Sequence, residues 1–155
     1  MTEINPNHPQ KPRLNAFVGY WTNTGKVYPG PFGPAGPVTG ASSYHWDMNG
    51  KWLLFTSQLA LPEIEAYEVR GGVAFNSQTQ KYDSFAFNSL GILLAYEGAW
   101  MDDKRFVFTS TYPRQGTARV IYTFGEDGSF IMVSESKTDA GEYKTYFEMK
   151  FKKEI

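Results

Sequence analysis

What most constrains this chain is its punctuation. From Gly19 onward, runs of eight to ten residues rich in aromatic and β-branched side chains alternate with short turn signals, and no segment keeps a helical period for long. The runs read as strands over 19–28, 38–48, 51–61, 63–76, 82–89, 92–101, 105–112, 117–124, 129–137 and 143–152. Between them stand Asn49-Gly50, Pro62, Asp102-Asp103-Lys104 and Glu126-Asp127-Gly128, all of turn chemistry. Strands joined by short hairpins make an antiparallel meander with two open edges. Closure into a barrel removes both edges, and no helical segment is available to cover an open sheet. The expected fold is all-β, an antiparallel up-and-down β-barrel of about ten strands with a short N-terminal helical turn over 13–18. Residues 1–12, polar and holding three prolines, read as a flexible arm ahead of a single barrel domain over 13–155.

Composition then removes several classes of function. Apolar residues are 41% of the chain, too many for a disordered protein. The net charge of −1 gives no general pull toward nucleic acid or anionic lipid. The one basic cluster, Lys150-Phe151-Lys152-Lys153, is too small for a nucleic-acid footprint. No apolar run approaches the roughly 20 residues that span a bilayer as a helix. Without cysteine there is no thiolate chemistry, Fe–S cluster or disulfide. The polar opening carries no secretory signal, so the expected location is the cytoplasm. The oligomeric state is not legible.

Aromatic residues make up 17% of the chain, and their placement suggests a ligand. Strand alternation puts Trp21, Tyr44, Trp46, Trp52, Tyr96, Trp100 and Tyr122 on faces that read as inward. Plain core packing accounts for any one of them. Together they bring tyrosine hydroxyls and tryptophan N–H groups that need partners when buried. A barrel of more than eight strands has interior volume to spare, and a cavity holding a ligand would supply those partners. The loop over 29–37 carries three Gly-Pro-x triplets. They are too few for collagen and too poor in N–H groups for a phosphate loop. This loop reads either as a linker or as a stiff flap at the barrel mouth with Phe32 at its tip. The ligand-binding set is therefore these seven residues and Phe32.

Catalytic candidates are sparser. Ser43, His45 and Asp47 share one strand face, but such neighbours point in parallel and do not form a hydrolase triad. Alternation leaves Glu97 and Glu148 on outer faces. Two histidines, no cysteine and scattered carboxylates give no metal-ligand spacing.

The run Phe17-Val18-Gly19-Tyr20-Trp21 resembles the opening motif of the calycin superfamily, which includes lipocalins and fatty-acid-binding proteins. In that group the Trp plugs one barrel end and a basic residue of the last strand packs over it. Lys150 and Lys152 lie on the matching strand, where the usual Arg is absent. A longer pattern comprises Leu14, Gly19-x-Trp21, Gly25, Tyr28-Pro29-Gly30, Trp46, Gly50-Lys51-Trp52-Leu53, Gly72, Tyr82, Glu97-Gly98, Arg119 and Glu148. In this order it resembles a bacterial lipocalin-like family of unknown function, over most of residues 14–152. That resemblance is what gives Glu97, Arg119 and Glu148 weight beside His45 as catalytic candidates. The opening is also similar to nitrobindins, ten-stranded haem barrels that need a proximal histidine near the C-terminus. Here the histidines are His8 and His45, so no haem and no other cofactor is expected. The expected function is binding of a small hydrophobic or aromatic molecule inside the barrel. The alternative is a cofactor-independent isomerase, cyclase or lyase acting on a hydrophobic metabolite in the same cavity, for which an inward His45 would be the best base.

Overall fold

The structure, a computed structural model, describes residues 13–30 and 34–154. Residues 1–12, expected to form an arm, and Phe32, expected at the tip of a flap, lie outside the described residues. One 3-10 turn, Leu14–Phe17, precedes ten strands. They are β1 (Gly19–Val27), β2 (Gly36–Asp47), β3 (Trp52–Ala60), β4 (Tyr67–Asn76), β5 (Lys81–Asn88), β6 (Leu93–Trp100), β7 (Arg105–Tyr112), β8 (Ala118–Phe124), β9 (Phe130–Lys137) and β10 (Tyr143–Lys153). Each pairs antiparallel with the next, and β1 pairs with β10, so the barrel closes and no edge remains. No helix among the described residues is long and apolar enough to cross a membrane.

Most strand ends lie within one or two residues of the pattern in the sequence, and two of the differences have a local reason. β4 starts at Tyr67 and not at 63, because Leu61 and Ile64 exchange backbone hydrogen bonds of 2.9 and 3.3 Å around Pro62. The β2–β3 connection takes four residues and not two. Asp47 accepts the Met48 N–H on its side chain at 2.6 Å and the Gly50 and Lys51 N–H groups on its carbonyl. Met48, Asn49 and Gly50 then all adopt positive φ, at 52°, 58° and 74°. Asp47 therefore serves the turn.

One end of the barrel is filled with rings. Phe17 enters it from the 3-10 turn and packs against Tyr44, Phe106, Tyr122, Phe124 and Phe130 at centroid distances of 5.0–6.0 Å. Trp21 is 1% exposed and donates its indole N–H to the Phe17 carbonyl at 2.9 Å, which ties the turn to β1. The cation over Trp21 is Lys153, with Nζ 5.6 Å from the ring, and neither Lys150 nor Lys152. Register explains this, since Trp21 sits opposite Lys153.

Gly25 and Gly40 mark close approaches of strands. A Cβ on Gly25 would run into the backbone carbonyl of Glu148 across the β1–β10 seam, and one on Gly40 into that of Gln58. Neither carbonyl can rotate away as a side chain would. Gly25→Ala is expected to destabilise the barrel by about 1–3 kcal/mol. The measurement is a lower denaturant midpoint at unchanged slope.

Candidate functional site

Toward the other end the inward side chains become small. β3, β5 and β9 each carry a serine on the inner face, at Ser57, Ser84 and Ser134, and β5 adds Ala86. Rings of the size found at the plugged end would close this space, and these residues leave it open. The result is a cavity of about 150 Å³, reached from the end where β1 leads into β2. Its wall is mainly apolar, from Phe55, Leu59, Val69, Phe108, Met132 and Phe147. Phenol rings of Tyr44, Tyr67, Tyr96, Tyr122 and Tyr146 interrupt that wall.

Behind part of the wall runs a short chain of hydrogen-bonded side chains. Ser42 donates to Asn23 Oδ1 at 2.8 Å and lies 2.6 Å from Ser57 Oγ. A hydroxyl has one proton, so Ser57 must donate to Ser42 and shows the cavity only lone pairs. The Asn23 amide nitrogen behind this chain has no partner among the described residues. Tyr44 lies near enough to Tyr122, Tyr67 to Asn88 and Tyr146 to Ser134 for the neighbour to influence the phenol's ionisation. The Ser84 and Tyr96 hydroxyls make no hydrogen bond among the described residues.

Burial raises every one of these phenols above its ordinary pKa. Tyr67 is pushed up to about 12, burial outweighing its hydrogen bond with Asn88. Tyr44, Tyr122 and Tyr146 are raised by the same cause. Tyr96 is raised by burial first and then by the neighbouring hydroxyls of Tyr146, Tyr122 and Tyr67. At neutral pH the cavity therefore holds uncharged phenols, which can donate or accept a hydrogen bond but cannot act as bases.

The residues singled out in the sequence separate into three places. Tyr44, Tyr96 and Tyr122 line the cavity. Trp21, Trp46 and Trp100 belong to the plugged end. There the Trp46 indole donates to Asn15 Oδ1 at 2.6 Å, and the Arg13 guanidinium lies 4.3 Å from the Trp100 ring. Trp52 stands on the outer wall and corrects the inward reading of its face. The run Trp52-Leu53-Leu54-Phe55 is apolar on both faces, and Leu53 takes the inner position. Gly72 has no side chain, so Trp52, Leu54 and Phe85 close over it from outside.

None of the four catalytic candidates lines the cavity. His45 is exposed on the outer face of β2. Glu97 accepts from Lys81 Nζ at 3.1 Å. Arg119 pairs with Glu135 at 2.7 Å and stacks 4.0 Å over the Tyr143 ring. Glu148 accepts the Tyr28 hydroxyl at 3.0 Å.

Sequence reasoning passed over the inner serines and Tyr146. The serines were detectable, since Ser57 shares parity with Leu53, Phe55 and Leu59, and Ser84 with Tyr82 and Ala86. A small polar residue on an otherwise apolar strand face is the signal. Tyr146 was not detectable, because a bulge between Thr145 and Phe147 turns it to the same side as Phe147. Among the described residues no cluster of metal-ligating side chains forms. No curated protein matches the chain. A family profile described as a protein of unknown function matches residues 6–153, which take in all ten strands, and the chain thus belongs to the DUF1579 family.

Proposed function

We propose that this barrel binds a small hydrophobic or aromatic molecule in the cavity, as a lipocalin-like member of the calycin type plugged at Trp21 and open at the far end. The observation that carries this reading is the cavity itself. It is apolar over most of its wall, yet it retains hydroxyls that nothing in the described chain satisfies. Its size sets the ligand's size. A dry apolar cavity of roughly 150 Å³ holds one benzene ring in an engineered protein. A porphyrin is far larger, and a long acyl chain would have to leave the cavity through its mouth.

The enzyme alternative has less support. His45, Glu97, Arg119 and Glu148 all stand outside the cavity. The cavity phenols keep their protons at neutral pH, so no lining residue among those described is a general base there.

Calorimetric titration with toluene tests the binding reading. Binding is expected for the native chain and should disappear in Ala86→Phe, where a ring fills the space from the wall. Unchanged toluene affinity in that variant, with the fold intact by circular dichroism, would remove the cavity as the site.

A further inference from the structure

We propose that the cavity selects an uncharged one-ring molecule with a hydroxyl or carbonyl head, and that Ser84 and Tyr96 hold that head. The inference rests on the binding reading above and specifies the ligand's chemistry.

The first argument is charge. No lining residue among those described carries a carboxylate, ammonium, guanidinium or imidazole. The titratable groups facing the cavity are Tyr44 from β2, Tyr67 from β4, Tyr96 from β6, Tyr122 from β8 and Tyr146 from β10. All are phenols, and burial holds them neutral. An ionic ligand would lose its water and meet no counter-charge. The environment that suppresses ionisation of these phenols would equally oppose a bound carboxylate.

The second argument is the pattern of unmet hydrogen bonds. Ser84 and Tyr96 are directly paired residues on β5 and β6. Both point into the same cavity, and Ser84 is 8% exposed. Ser57 is hydrogen-bonded within the wall, and Tyr44, Tyr67 and Tyr146 each have a polar side chain close at hand, whereas Ser84 and Tyr96 make no hydrogen bond among the described residues. A buried hydroxyl without a partner is costly, so an occupant that satisfies both is favoured over a plain hydrocarbon. A ligand hydroxyl can donate to one and accept from the other. A carbonyl oxygen can accept from both. The phenol of Tyr96 is the longer side chain and meets the head deeper in the cavity, with Ser84 beside it at the wall.

Four probes of one ring separate these ideas in calorimetric titrations of the full chain at pH 7: toluene, benzyl alcohol, benzoate and benzylammonium. Benzyl alcohol is expected to bind at least tenfold more tightly than either ion and several-fold more tightly than toluene. In the double variant Ser84→Ala, Tyr96→Phe its affinity should fall about fivefold or more while that of toluene is retained. Either ion binding as well as the alcohol would overturn the inference and leave the binding reading standing. A variant that weakens toluene and benzyl alcohol equally would overturn the assignment of the head to this pair. Binding of toluene alone would also overturn the inference. If none of the four binds, both the inference and the binding reading fall.

Discussion

Raising the pH above 10 is expected to unfold this barrel over a narrow range. Six of its ten tyrosines have pKa values raised by burial: Tyr44, Tyr67, Tyr82, Tyr96, Tyr122 and Tyr146. In the unfolded chain each returns to about 10. Below that pH both states keep these protons, and the stabilisation is fully present. Above it the unfolded state releases them and the folded state does not, so stability falls as pH rises. The loss from Tyr67 and Tyr82 is complete once pH passes their folded values of about 12. Each phenol that stays protonated in the fold costs roughly 1.4 kcal/mol per pH unit in this window. The five raised furthest, Tyr44, Tyr67, Tyr82, Tyr96 and Tyr122, together give on the order of 7 kcal/mol per unit, against the 5–15 kcal/mol that holds an ordinary domain together. The transition should therefore complete within one to two units above the unfolded pKa. The measurement is tyrosinate absorbance followed together with far-ultraviolet circular dichroism. Part of the tyrosine signal should rise early, and the remainder only as the dichroism collapses. Smooth ionisation of all ten residues with the β signal intact would contradict the placement of these rings.

Phe130→Ala should be the most damaging single truncation. Phe130 is 1% exposed at the start of β9 and lies at the centre of the plugged end. Its ring stacks on Phe151 at 4.3 Å and meets Trp21 edge-on at 4.7 Å. Phe124 at 5.1 Å, Phe17 at 5.4 Å and Tyr122 at 5.9 Å complete the surround. These neighbours come from β1, β8, β10 and the 3-10 turn, so collapse into the hole would have to move several strands at once. A phenyl deletion in such a site costs about 3–5 kcal/mol, near the top of the usual range where relaxation is blocked. For a chain of this length that lowers the melting temperature by roughly 10 °C. A fall of only a degree or two would mean that the rings repack freely and that the plug is not rigid.

Much of the fold was legible because its determinants are local. Asp102 accepts the Lys104 and Arg105 N–H groups at 2.9 and 2.8 Å, and Asp127 accepts that of Ser129 at 3.0 Å. Turns of this kind are written in four or five consecutive residues. Alternation likewise placed Tyr44, Tyr96 and Tyr122 inside and Glu97 and Glu148 outside. Alternation fails where both faces of a strand are apolar, as at Trp52, or where the count slips, as at Tyr146. The outer trough that Trp52 occupies exists only because Gly72 is brought beside it, and no local pattern records that meeting.

The number of strands, their antiparallel order and the need for closure follow from local patterns in the chain. Side-chain period and turn chemistry act over a few residues, and a long meander has no other way to remove its edges. The cavity was decided only in three dimensions. It depends on register, which sets Ser84 against Tyr96, Ser42 against Ser57 and Trp21 under Lys153. It also depends on which inward positions are small at the same height of the barrel. Residues distant in sequence meet there through hydrogen bonds and van der Waals contacts that act over a few ångströms, so the space they leave exists only once all ten strands have closed.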